Sequence, residues 1–527
     1  MLRPGNWQWF FCAMVLLAAV SAPASAVRAA DDDGQPLLDK ATEAKLSAET
    51  LADLNQVIRL CREAIDAGLD DDNKKFAREL LASTLSQRAE VVCLELFERP
   101  VTPNRARRLV QMALEDLEET VQINSEQPES QFLLGRLYAH LGETEKGLAA
   151  LNEAVRLSES DPAAKSKALM IRANLKKDPA AQQADYDEAV KLSPRDPNVL
   201  RFRGMHYLTQ SNIELAIADL NAAIELDPLD PDTYEARGMA QALAEKLDDA
   251  LESFNKAIEL EPTSTTALVH RARLRAMKGD FPAALADVEQ AMKLRPGSLQ
   301  AVLLHASLLG AMGKFDQALA ELNVLRQVIP DSPEVLLQLG TLYQAAKQPQ
   351  QAIETFNHVI AQDPKNAAAL RGRADAYLNQ GKQVEAIADY EEVLKVDPKN
   401  SGVLNNLAWV LATSPDDKLR DGKRAIELAK QACEVTEYKQ AHILSTLAAG
   451  YAETGDFDTA ITWSKKAVEL GSDQTKVQLE KELESYQAGK PWREAAPPDE
   501  PPLDETAQGN NDAAPSNEDT ARAKRGS

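Results

Sequence analysis

Six histidines, at positions 140, 206, 270, 305, 358 and 442, and four cysteines are the side chains of this 527-residue sequence best suited to metal binding or nucleophilic chemistry. A zinc hydrolase sets two histidines one helical turn apart with a glutamate beside the first, His-Glu-x-x-His, and thiol redox or structural zinc chemistry uses Cys-x-x-Cys. Neither spacing occurs here, and the histidines are scattered. A phosphate-cradling loop, a dinucleotide fingerprint and a Gly-x-Ser-x-Gly nucleophile elbow are also missing from the sequence. The sequence therefore offers no catalytic residues, no metal site and no cofactor motif, and it reads as a non-enzyme.

Charged residues are arranged with more regularity than the histidines. Arg203, Arg237, Arg271 and Arg373 recur in one register, and Asp219, Asp287 and Asp389 each follow an arginine by a constant interval. In two other places that register holds His305 with Glu321, and Leu339 with Thr355. The spacing predicts ion pairs Arg203–Asp219, Arg271–Asp287 and Arg373–Asp389. As exposed pairs they would contribute about 0–1 kcal/mol each.

The register itself comes from a repeat. Prolines at 194, 228, 262, 296, 330, 364 and 398 stand 34 residues apart. Alanines at 216, 250, 284, 318, 352 and 386 keep the same interval, as do Gly204, Gly238, Ala272, Ala306, Gly340, Ala374 and Ala408. Within one period, Pro231 to Ser264, Tyr234 and Gly238 begin one helical stripe, and Ala250, Phe254, Ala257 and Ile258 make a second. Pro262 ends the second helix because proline has no N–H to continue it. Asp196, Asp230, Ser264, Ser298, Ser332, Asn366 and Asn400 each precede a first helix and are able to cap it. The small columns let the two backbones of a pair approach closely. A single pair buries too little surface to stand alone, so stacking must supply the core.

Gly340, Tyr343, Ala352, Phe356, Val359 and Pro364 in one period resemble the tetratricopeptide repeat, with Val359 in place of the usual alanine. The resemblance implies an all-α fold, a right-handed superhelical solenoid of antiparallel helix pairs. Ten repeats are expected over residues 128–474. The second, at about 162–196, is some three residues short between its helices, and the ninth carries about five extra between Ser414 and Gly422. Residues 47–127 are expected to form an N-terminal helical cap with a degenerate repeat, and 475–493 a polar-faced capping helix. Residues 27–46 read as a linker.

By the same resemblance the first helix of each repeat lines a concave groove. The groove positions hold Arg136, Arg201, Met205, Met239, Arg273, Gln344, Arg371, Asp375, Asn405 and Trp409, together with Glu235, Val269, Leu303 and Leu337. This mixture suits an extended peptide. Trp409 is either a binding hot spot or a side chain packed under the long turn of the ninth repeat. The carboxylate clamp that the family uses for chaperone tails needs paired Asn and Lys, which Arg201 with Met205 and Arg371 with Asp375 do not provide.

The termini suggest export. Arg3, the apolar run Phe10 to Val20 and the small residues Ala24-Ser25-Ala26 form a signal-peptide pattern over 1–26, cleaved near Ala26. An uncleaved anchor is the alternative, although the run is shorter than the roughly 20 residues of a span. From Glu494 onward proline and acid dominate, and this tail, 494–527, is expected to be disordered. The net charge of −23 disfavours nucleic acid and suits solubility or a basic partner. Cys61, Cys93 and Cys433 would remain after cleavage. A Cys61–Cys93 bridge and buried free thiols both fit. These features describe a periplasmic or secreted scaffold, without membrane insertion after cleavage, that binds a protein or peptide. A structural component of the cell envelope and an accessory subunit of an exported enzyme complex are the alternatives.

Overall fold

The computed structural model describes residues 33–98 and 101–494. The signal peptide expected at 1–26 lies outside the described residues, as does the tail expected over 494–527 apart from Glu494, which is held against Thr413 and Trp409. Among the described residues there are 25 helices and no strands. They form two compact units, one up to Leu260 and one from Glu261.

The first unit opens with α1 (Gln35–Leu46), α2 (Leu51–Ala67), α3 (Asp71–Glu98) and α4 (Pro103–Ile123). Helix α1 corrects the linker expected over 27–46. Its Leu38 and Ala41 are buried against α2 and α3, where they meet Val57, Ala64, Ala77 and Leu81. Two buried positions in twelve residues are a faint stripe, and the helix stands through this packing. Helix α2 has a capping box, in which Thr50 accepts from the Asp53 backbone N–H and the Asp53 carboxylate accepts from that of Thr50.

Four pairs follow: α5 (Pro128–His140) with α6 (Thr144–Leu157), α7 (Pro162–Leu175) with α8 (Pro179–Leu192), α9 (Pro197–Thr209) with α10 (Ile213–Leu226), and α11 (Pro231–Leu243) with α12 (Leu247–Leu260). The second unit continues with α13 (Thr265–Met277) and α14 (Phe281–Leu294), α15 (Leu299–Ala311) and α16 (Phe315–Val328), then α17 (Pro333–Ala345) and α18 (Pro349–Gln362). Its last pairs are α19 (Ala367–Asn379) with α20 (Gln383–Val396), α21 (Ser401–Thr413) with α22 (Gly422–Val435), and α23 (Ala441–Glu453) with α24 (Phe457–Leu470). Helix α25 (Asp473–Gln487) closes the unit.

The columns of small residues explain the close pairing. Ala216, Ala250, Ala284, Ala318, Ala352 and Ala386 are all fully buried. A methyl group on Gly340 would stand 2.5 Å from the Phe356 ring, and one on Gly372 2.4 Å from it. That ring therefore fills the space left by two glycines, one in α17 and one in α19. Six of the seven expected caps accept a backbone N–H, from Asn198, Asp232, Ala267, Val335, Ala369 and Val403. Ser298 is the exception. It begins α15 without a side-chain bond.

The second repeat is not shortened: α7 has 14 residues where α5, α9 and α11 have 13, and Lys176 to Asp178 leave a turn as long as the others. The eight-residue turn of the ninth repeat, Ser414 to Asp421, is held by Arg420, which donates to the Ser414 carbonyl at 2.9 Å and to Glu453 at 3.0 Å. Cys61, Cys93 and Cys433 are buried free thiols, and burial pushes them up to about 11, 12 and 11.

The three expected ion pairs form, and they are not exposed. Arg203 grips Asp219 through two bonds of 2.7 and 2.9 Å, Arg271 grips Asp287 at 2.9 and 2.6 Å, and Arg373 grips Asp389 at 2.8 and 2.7 Å. All three aspartates are buried. Two further pairs escape a search at constant interval. Arg172 binds Asp185 at 2.9 and 2.7 Å in the second repeat, and Arg88 binds the buried Asp116 between α3 and α4. The remaining guanidinium nitrogen often reaches the preceding repeat. Arg172 donates to Asn152 at 3.0 Å, Arg203 to Asp187 at 3.0 Å, Arg237 to Asn221 at 3.1 Å and Arg373 to Asn357 at 2.6 Å. Each such arginine is thus a rung that joins the two helices of one repeat and ties that repeat to the one before it. In buried bidentate geometry, removing one partner leaves a charge without compensation. That loss is worth about 3–5 kcal/mol, not the surface value.

Candidate functional site

Four of the ten groove residues singled out from the sequence lie in the first unit and six in the second. In the first unit the Arg136 guanidinium lies 4.0 Å above the Phe97 ring. Arg201 is largely buried beside Asp230 (3.3 Å) and Asp232 (3.7 Å), so it secures the cap of α11. Met239 packs in the cluster of Ala216, Leu220, Ala236 and Ala240. In the second unit Gln344 donates to the Gly372 carbonyl at 2.8 Å, linking two repeats. Asp375 accepts from the Tyr390 hydroxyl and, at 3.3 Å, from Asn406. Arg273 is exposed, and Arg371 is half exposed at 3.9 Å from Asp375.

Two cavities collect the rest. In the first unit Met205 lines a cavity of about 410 Å³ with Asn174, Gln182, Tyr186, Phe202, His206 and Thr209. The His206 ring lies 5.1 Å from that of Tyr186, and its Nε2 has no hydrogen-bond partner among the described residues. Burial holds its pKa below the ordinary value of 6.5.

In the second unit Asn405 and Trp409 line a cavity of about 500 Å³. Four helices supply its walls: Leu378 from α19; Asn405, Asn406 and Trp409 from α21; His442, Ser445 and Thr446 from α23; and Gln474, Thr475, Gln478, Leu479 and Glu482 from α25. Glu482 is buried. Its carboxylate accepts from the Ser445 hydroxyl and, at 3.1 Å, from the Gln478 amide. Burial raises its pKa, the two hydrogen bonds oppose that rise, and the charge of Glu494 adds to it. Asn405 is 9% exposed, and its Oδ1 has no hydrogen-bond partner among the described residues.

Trp409 unites the two alternatives left open by its sequence position. Its ring packs at the core edge and lines the cavity, while its Nε1 donates to Glu494 at 2.8 Å. Pro491 to Glu494 run back over the end of α21. The Glu494 N–H donates to the Thr413 carbonyl at 3.0 Å, Arg493 binds the Ala412 carbonyl and Glu453, and Trp492 packs against the core.

The half of this cavity formed by α25 is missed in the sequence because that helix reads as a polar solvating end. Leu479, Glu482 and Tyr486 are nevertheless buried. Their spacing of three and four residues is the signal, faint because the middle member is an acid. Among the described residues no group of three or more His, Cys, Asp or Glu is placed to hold a metal ion. None of the described helices is long and apolar enough to cross a membrane.

Models of the tetratricopeptide repeat match residues 105–162, 178–231, 235–298 and 337–401, and a second model of that repeat matches 275–339. Together they span more than half of the chain. No curated protein matches the sequence. Similar solved structures include a tetratricopeptide repeat protein from Parabacteroides merdae, 19% identical, covering 55% of this chain and 98% of that one with a TM-score of 0.39. PilF of Pseudomonas aeruginosa is 22% identical, with 40% and 94% covered and a TM-score of 0.35. YrrB, described as a TPR protein with an unusual peptide-binding site, is 22% identical, with 37% and 98% covered and a TM-score of 0.29. With ten successive helix pairs and family models matching along most of that array, the chain belongs to the tetratricopeptide repeat family.

Proposed function

We propose that this chain is a non-catalytic scaffold, exported from the cytoplasm, that binds a protein or peptide through the faces of its first helices. The observation that carries this reading is the cavity on α19, α21, α23 and α25. It is a concave, mixed polar and apolar surface, built from three first helices and the closing helix α25 and lined by Trp409, the residue type most often found at the centre of binding interfaces. Binding regions of this kind combine an aromatic anchor with a few hydrogen-bonding groups, and Asn405, Asn406, Ser445 and Gln478 provide the latter.

Selection of random displayed peptides against the full chain tests the binding. Enriched peptides are expected to lose at least tenfold in affinity on the Asn405→Ala, Trp409→Ala double variant and to keep their affinity on Arg273→Ala. Enrichment of peptides that bind the double variant equally well would refute the assignment of this surface. Export is tested separately by producing the chain with a C-terminal tag in a Gram-negative host and sequencing its N-terminus. The reading expects a product in the periplasm or medium beginning at Val27; a cytoplasmic product beginning at Met1 refutes it.

A further inference from the structure

The wall of the cavity on α21, α23 and α25 has a particular chemical bias. It contains no lysine or arginine. Two of its buried polar groups present acceptors: the Glu482 carboxylate, 3% exposed, and the Asn405 Oδ1, which no protein donor satisfies among the described residues. A buried carbonyl oxygen without a donor is unfavourable, and a buried carboxylate bonded only by a hydroxyl and an amide keeps acceptor capacity on both oxygens. Glu494, fixed by the Trp409 indole at 2.8 Å, adds a second negative charge close enough to disfavour ionisation of Glu482. The basic residue nearest to this segment in sequence, Arg493, is already bound to Glu453 and the Ala412 carbonyl.

Three ligand classes fit poorly. An anion would meet the Glu482 carboxylate, with Glu494 at the Trp409 indole, and no lysine or arginine. An uncharged apolar group would bury Asn405 Oδ1 without a donor. A metal ion would find no cluster of three or more His, Cys, Asp or Glu among the described residues. A compact organic cation fits on each count. It brings several N–H donors, a charge that compensates Glu482, and a chain of methylenes to lie along Leu378, Leu479 and the face of Trp409.

We propose that this cavity receives an alkylammonium group, the side chain of a lysine on the bound partner. The proposal rests on the reading of the first-helix surface as a partner-binding site. Glu482 and Asn405 supply the acceptors, Trp409 the aromatic wall, and the acidity of the whole chain draws basic segments toward it. A lysine and a free small amine present the same group, and the test separates them.

The full chain is labelled with 5-fluorotryptophan, and the Trp409 resonance is assigned by Trp409→Phe. Fluorine NMR then follows titration with Ac-Ala-Ala-Lys-Ala-Ala-NH2, with the same peptide carrying Nε-acetyl-lysine or norleucine, and with pentylamine. The lysine peptide is expected to shift the Trp409 resonance saturably, at a midpoint at least tenfold below that of either neutral analogue. Glu482→Gln, which retains a carbonyl acceptor toward Ser445, is expected to raise the midpoint at least tenfold with an unchanged melting temperature. Should that variant not fold, Asn405→Leu is expected to raise the midpoint as well. A midpoint for pentylamine well above that of the peptide assigns the group to a partner, whereas equal midpoints overturn the partner and assign a free amine.

Equal binding of the acetylated or norleucine peptide, or an unchanged midpoint in the folded variants, overturns the cation site itself. A displayed-peptide selection dominated by lysine-free sequences that still depend on Trp409 would overturn the cation site and leave the binding surface standing. A lysine-dependent shift without any selected peptide would do the reverse.

Discussion

The unit up to Leu260 carries an arginine rung in three successive repeats, at Arg172, Arg203 and Arg237, whereas the unit from Glu261 interrupts Arg271 and Arg373 with His305 and Leu339. The repeat length does not change where the rungs stop. Leu339 is fully buried in an apolar cluster, and Thr355 opposite turns its hydroxyl to its own helix at Gln351. The small columns and caps therefore set the repeat, and the rung is an optional addition to it. Where it pairs with an aspartate, as at Arg172, Arg203, Arg271 and Arg373, it is no longer dispensable, because that aspartate is buried and depends on the guanidinium.

The largest effect that sharpens this contrast is expected from Arg203→Ala in the first unit and Arg373→Ala in the second. Each leaves a buried aspartate unpaired and should lower stability by about 3–5 kcal/mol in urea unfolding. Replacing both members, Arg373→Met with Asp389→Leu, should recover most of that loss, since a well-packed apolar pair often matches a buried ion pair. A loss of less than about 1 kcal/mol in the single variants would return the rungs to the surface-pair class.

A smaller effect separates the two units at their small columns. Gly340→Ala pushes a methyl group into the Phe356 ring, which Gly372 confines from the next repeat, and should cost about 1–3 kcal/mol. Gly204→Ala meets the branch of Leu220 at 3.0 Å, a side chain with more freedom to move, and should cost less. Equal losses measured by thermal unfolding would show that the aromatic ring is no tighter a neighbour than leucine.

The smallest effect concerns pH and has opposite signs in the two units. His305 donates from its Nδ1 to the Glu321 carboxylate at 2.7 Å, and that bond, assisted by Glu289, raises its pKa above 6.5. Its contribution is complete below pH 6.5 and is lost as pH rises through the raised folded value. His206 is held below 6.5 by burial, so its contribution is complete above 6.5 and is lost as pH falls through the lowered folded value. Hydrogen exchange of α15–α16 and of α9, compared with His305→Asn and His206→Asn, should show protection moving in opposite directions between about pH 5 and 8. Parallel movement would contradict the environments described for the two rings.

The repeat register, both helices of each pair and the three regular ion pairs were legible in the sequence because period and composition act locally. Prolines, caps and alanines each report on their own turn of chain. Arg172–Asp185 was not legible, since its members stand 13 residues apart and not 16, and Arg88–Asp116 joins helices longer than those of the repeats. The weak stripe of α1 hid a packed helix. At the candidate site, Asn405 and Trp409 could be placed from their repeat positions, whereas Ser445 and Glu482 could not. Their roles arise from α23 and α25 meeting across a cavity, and a buried glutamate in a polar helix carries no pattern that distinguishes it from a solvated one. Of the remaining groove candidates, Arg201 and Gln344 turned out to join repeats, a role that polarity alone does not reveal.

The seven residues after α25 have a practical consequence for anyone shortening this chain. A protein ending at Gln487 would keep every helix and look intact by circular dichroism. It would nonetheless lose the acceptor of the Trp409 indole, the second cation on Glu453 and the Trp492 ring that packs against the last repeats. Its indole would be free to rotate, and the mouth of the cavity would change shape although no repeat had been touched. Boundaries drawn from helix content would thus discard the clasp that fixes the one aromatic wall of the site.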